Sequence, residues 1–169
     1  VFVLVDGLGM NLTTKVDGFL KRSVAMELNS VFPSSTAPSL TTLGTGQWPG
    51  RHAVTSWWTH LPKAGLTATI IPYTERFTEE DLGKRGIRIE EACPEPSLLG
   101  RLRSQVHSFM PRAIAESTYS KYIRSATPVS GYETLTEAVD GVIRRVDGAG
   151  ASTYTYLYYP NLDSAEHKY

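Results

Sequence analysis

A carboxylate and an imidazole stand four residues apart at Asp163 and His167. That spacing lets both side chains converge on one metal ion. The pair follows an apolar-aromatic run, residues 153–159, that reads as a buried strand. A second acidic residue, Asp6, closes another strand-like run, residues 1–5. In open α/β sheets, chemistry collects at the carboxyl ends of parallel strands. Two such ends carrying metal-type donors point to one site assembled from both ends of the chain. A third group of interest is Thr36, in the Pro33-to-Gly46 block. A hydroxyl just before a helix can cap it. The same position favours a phosphoryl group, because free backbone N–H groups and the helix dipole meet there. A hydroxyl so placed can attack that group when a metal holds its alkoxide form.

The elements needed to position these groups can be read along the chain. Residues 1–5 form a central parallel strand by composition. Residues 11–22 read as a helix or long loop. Val24, Met26 and Leu28 alternate with polar neighbours, which predicts a strand over 24–32. A short helix is expected over 38–44, a loop over 46–50 and a strand over 67–73. Residues 75–96 are polar and rich in Gly and Pro, and read as a surface excursion. A helix is expected over 97–105 and a strand over 106–114. The 3.6-residue period of Leu135, Ala138, Val139, Val142, Ile143 and Val146 predicts an amphipathic helix, with Thr134 or Thr136 capping it and Gly148 ending it. Strand–helix–strand alternation argues for a parallel sheet with helices on both faces.

Composition excludes several classes. Seventeen basic residues balance 17 acidic ones, so no net field favours a nucleic-acid polymer or an anionic membrane. The single cysteine, Cys93, forbids an internal disulfide and a thiolate zinc cage. No run is apolar and long enough to span a bilayer. No Walker-type Gly-Lys-Ser/Thr occurs, and Leu12 stands where a dinucleotide fingerprint needs its third glycine. His52, His60 and His107 read as structural or surface residues. At most one of Trp57 and Trp58 can line a substrate pocket, since adjacent residues point different ways.

Three blocks, in order, resemble the type I phosphodiesterase/nucleotide pyrophosphatase branch of the alkaline phosphatase superfamily. They are Val3-Leu4-Val5-Asp6-Gly7, the stretch Phe32 to Thr36 and on through Gly46 with Trp48 to Val54 after it, and Pro160 to Asp163 through Tyr169. The resemblance implies a three-layer α/β/α sandwich with a mostly parallel sheet, seen as its N-terminal portion. It implies two divalent metal ions, zinc or else manganese. Asp6 and Thr36 would bind one ion, and Asp163 and His167 the other. Thr36 would be the nucleophile and pass through a phosphothreonine. Ser39 falls where the nucleotide pyrophosphatases carry an asparagine that donates to a phosphate oxygen. The sulfatase pattern is not met, because Leu40 stands where it needs arginine.

The expected activity is hydrolysis of a small phosphate ester or nucleotide, a diester or pyrophosphate. A phosphomutase or phosphomonoesterase of the same superfamily, and a non-catalytic binding domain, are the alternatives. The family's downstream Asp-His pair and later His have no counterpart here. A single but incomplete catalytic domain over 1–169 is therefore expected, inactive on its own. Both ends of the chain read as cut, so the missing leader assigns no compartment; members of the family are often exported or membrane-anchored.

Overall fold

The computed structural model describes residues 1–168; Tyr169, the last residue of the third motif, lies outside them. The chain runs through β1 (Phe2–Val5), α1 (Met10–Thr13), α2 (Phe19–Arg22), α3 (Thr36–Thr45), α4 (Pro49–His52), β2 (Trp58–Leu61), β3 (Leu66–Thr69), β4 (Thr74–Glu75) and α5 (Ile89–Ala92). After a 3-10 turn at Leu99–Arg101 come β5 (Gln105–Pro111), α6 (Arg112–Ala115), α7 (Thr118–Arg124), β6 (Val129–Tyr132), α8 (Leu135–Asp147), β7 (Thr153–Tyr159) and α9 (Asn161–Glu166).

Four strands form one sheet in the order β1-β7-β5-β6, and every pairing in it is parallel; among the described residues β1, expected as a central strand, is an edge strand with Val3 exposed. The period of two in β7 sends alternate residues to opposite faces. Leu157 joins Phe109, Tyr132 and Ala138 beneath α8. Tyr156 and Tyr158 join Met110, Ala115 and Leu40 on the other face, where α3, α6 and α7 lie. The result is the expected three-layer α/β/α arrangement. A separate antiparallel sheet, β2-β3-β4, packs with α3, α5 and α7 around Ala37, Ile70, Tyr73 and Leu82.

Thr134 caps α8 by accepting from the Glu137 N–H, and Gly148 ends it, as the pattern predicts. Elsewhere the structure departs from the sequence reading. Residues 24–31 form no strand, and Val24, Met26 and Leu28 are exposed. Alternation makes a strand only where a partner backbone offers its N–H and C=O groups, and none lies beside this segment. The excursion at 75–96 is not superficial: Glu75, Leu82, Ile89, Ala92 and Cys93 are buried. Glu75 reaches inside because its carboxylate accepts from the N–H groups of Phe77 and Thr78. The helix expected over 97–105 shrinks to the 3-10 turn, and the strand expected over 106–114 ends at Pro111 and hands over to α6. The strand at 67–73 belongs to the antiparallel sheet and stops at Thr69. Residues 49–52, expected in part as loop, make the helical turn α4. The elements β2, β4, α7, β6 and α9 have no counterpart in the sequence reading.

Candidate active site

The register of the parallel sheet sets the first contact. Val5 lies opposite Tyr159, and the Asp6 N–H continues the ladder onto the Tyr159 carbonyl at 2.9 Å. The chain then leaves both strand tips at the same height. Pro160 opens α9, and the Asp163 N–H donates back to the Asp6 carbonyl at 3.2 Å. Gly7 makes this possible. Its φ is +82°, and a Cβ there would stand 2.8 Å from both Cα and N of Asp163. Only glycine combines that backbone angle with that approach.

The side chains converge as well. Tyr158 donates its hydroxyl to Asp6 Oδ2 at 2.8 Å. His167 Nε2 stands 3.6 Å from Asp163 Oδ1. The Asp6 carboxyl titrates above the ordinary aspartate range. Burial is the main cause; the Tyr158 hydrogen bond opposes it, the Asp163 carboxylate adds to it, and His167 eases it. Two acidic groups thus press on each other, with one exposed imidazole beside Asp163. A cation is the natural relief for that arrangement, and carboxylate oxygen with imidazole nitrogen is a donor set suited to zinc or manganese in kind. The donors are not gathered into a closed cage: among the described residues no group of three or more His, Cys, Asp or Glu side chains stands ready to hold an ion.

Thr36 stands on a different element. It is the first residue of α3, while Ser35 takes the capping position. The reading of Thr36 as the cap is therefore corrected by one residue. Ser35 makes no side-chain cap, and its Oγ is enclosed without a partner. Leu40, one turn along, packs in the cluster of Tyr156 and Tyr158. At the other end of the helix, the Gly44 carbonyl accepts from the Leu98 N–H at 2.7 Å, and that segment leads into the start of β5. The helix therefore runs opposite to the strands, and its N-terminal end lies toward the sheet edge that carries Asp6. Among the described residues, no side-chain hydrogen bond joins Thr36 to Asp6, Asp163 or His167. Ser39 pairs with Ser30, hydroxyl to hydroxyl, at 3.1 Å.

The remaining aromatic and imidazole groups sort by packing. His52 is buried: its Nδ1 accepts from the Val54 N–H, which leaves Nε2 to donate to Thr42. Trp57 packs against the antiparallel-sheet core, while Trp58 is half exposed under the Arg76 guanidinium, 4.2 Å from its ring centre. The group that sequence reasoning missed is Tyr158. A strand reading TYTYLYY does not say which tyrosine meets a carboxylate; only the register with β1 does.

A parallel sheet covered on both faces, with acidic residues converging at its carboxyl edge and a hydroxyl-bearing helix aimed at that edge, defines an α/β protein of the alkaline phosphatase type. Residues 1–169 match the family of type I phosphodiesterases / nucleotide pyrophosphatases, and the chain belongs to that family. The family is one of phosphodiesterase/pyrophosphatase hydrolases. No curated protein and no solved structure matched the chain. Among the described residues no helix is long and apolar enough to cross a membrane.

Proposed function

We propose that the chain supplies part of a two-metal centre that hydrolyses phosphodiester or nucleotide pyrophosphate bonds through a covalent phosphothreonine. The observation that carries this reading is the join at the strand tips, where the Asp163 N–H meets the Asp6 carbonyl and the two carboxyl groups face a shared space. Asp6 and Thr36 would hold one divalent ion, and Asp163 and His167 the other. When bound, such ions neutralise phosphate charge and favour the alkoxide form of a nearby hydroxyl.

The chain's own residues account for the rest. Tyr158 fixes the Asp6 carboxylate in one orientation. The first turn of α3 points backbone N–H groups and a positive dipole end at an incoming phosphoryl group. Thr36 Oγ1 attacks phosphorus, the bond to the leaving alcohol or phosphate breaks, and the hydroxyl proton passes to solvent. Water then cleaves the phosphothreonine and restores the hydroxyl. Ser39 offers a short hydroxyl donor one turn further along α3.

In a catalytically active preparation, Thr36→Ala should lower turnover of bis-p-nitrophenyl phosphate by about 10³-fold or more, as loss of a covalent nucleophile does, while the ion assigned to Asp163 and His167 stays bound. Turnover that survives the substitution would remove Thr36 from this role.

A further inference from the structure

The sheet ends in β6 on the side away from β1. Between α8 and β6 a groove of about 670 Å³ remains. Gly141 lets α8 come close to β5: a Cβ there would stand 2.5 Å from the Phe109 ring. Tyr132 of β6 packs beneath α8 with Phe109, and the groove opens beside that contact, where Ser130 and Gly131 line it.

The groove is polar and cationic. Ser130 of β6 and His107 of β5 meet in it, Oγ to Nε2, at 2.9 Å. The His107 ring rests at 5.0 Å on the Phe109 ring. Burial, with the nearby Arg145 charge, pushes His107 below its ordinary titration range, so it is uncharged at neutral pH. Three arginines, Arg112, Arg144 and Arg145, line the groove against one glutamate, Glu137. Arg112 is already engaged by Glu133 and Glu137. Arg144 and Arg145 have no carboxylate partner among the described residues. Arg145 donates to the Gln105 carbonyl at 3.2 Å, and its Nε is enclosed with no acceptor.

A cation in the last turn of a helix is favoured by the helix dipole alone. That accounts for the charge at positions 144 and 145. It does not account for an enclosed Nε without an acceptor on an arginine that lines a polar groove, beside a hydroxyl–imidazole pair. Planar guanidinium groups suit phosphate oxygens, which they grip through two N–H bonds. The volume lies in the range of sites for small organic ligands.

We propose that this groove binds the phosphate group of a small phosphorylated molecule, gripped by Arg144 and Arg145 and hydrogen-bonded by the Ser130–His107 pair. The site uses none of the residues at the strand tips and stands independently of the hydrolase reading.

The test uses adenosine monophosphate and inorganic phosphate as probes. Binding is followed by calorimetry and by the NMR signals of the His107 ring and the Ser130 amide. The proposal expects those signals to move in the wild-type chain and in Thr36→Ala alike. It expects Arg145→Gln to weaken binding by roughly tenfold or more, the loss of one charge-assisted contact. Arg144→Glu, on an exposed side chain, should do the same and keeps the test sound if Arg145→Gln disturbs packing. Equal affinity for the two probes makes free phosphate the ligand; tighter binding of the nucleotide assigns the rest of the groove to its nucleoside. No binding of either probe at millimolar concentration would overturn the proposal. So would shifts confined to Asp6, Asp163 and His167, or affinities unchanged in both arginine variants.

Discussion

The two approaches to the candidate site are held in different ways. Asp6 and Asp163 are tied by backbone. A strand ladder, one further N–H···O bond and the close backbone approach that Gly7 permits hold the two residues together. Thr36 is tied by side chains. Its helix α3 rests on the sheet through Leu40 and Leu43, over an apolar cavity of about 60 Å³ that Met110, Tyr156 and Tyr158 also line. Such a gap leaves its lining short of contacts. The carboxylate corner is therefore preorganised by topology, while the hydroxyl depends on packing.

Substitutions can break that contrast from either side. The largest effect is expected from Gly7→Ala. It forces an unfavourable φ and a 2.8 Å clash with Asp163 backbone, at about 3 kcal/mol or more. Chemical denaturation should show the loss, and metal affinity should fall with it. Gly44→Ala attacks the other arm. Its Cβ would stand 2.7 Å from Ile123 Cδ1, so α3 must shift away from α7. Overpacking of about 2 kcal/mol, partly offset by better helix propensity, is the expected cost. Turnover should drop in this variant while metal binding persists, which separates the two arms.

Tyr158→Phe is milder. It removes the donor to Asp6 Oδ2, at about 1 kcal/mol, and moves the Asp6 titration further up, because the lost hydrogen bond was lowering it. NMR titration of the Asp6 carboxyl in wild type and variant reads that shift. The smallest effect concerns His52, remote from both carboxylates in its bonding. Burial holds its imidazole below the ordinary 6.5. As pH falls below 6.5, the unfolded chain takes up a proton that the folded one refuses, so stability declines toward acid. Denaturation midpoints at pH 7 and pH 5 should differ less in His52→Asn than in wild type.

The carboxylate corner was legible in the sequence because polar residues that close apolar runs mark strand tips. Asp6 closes such a run, and Asp163 follows one within four residues. The direction of α3 was not legible, since it depends on Leu40 meeting tyrosines more than a hundred residues away. Tyr158 was hidden for a related reason: register, not composition, chooses which face a strand residue serves. The segment 24–32 shows the reverse failure. Its alternation is real, but no neighbouring backbone uses it. Cys93, Ile89 and Leu82 were hidden in a Gly/Pro-rich stretch whose turns bury single residues without any period.

The central claim is that Asp6, Thr36, Asp163 and His167 share one cation-binding space. Substoichiometric Mn²⁺ added to the isotopically labelled chain tests it most directly, through paramagnetic broadening of NMR signals. The account predicts that the amides of all four residues broaden together, ahead of the rest of the chain. Broadening of Asp6 and Asp163 while Thr36 stays sharp, or broadening centred elsewhere, would contradict it.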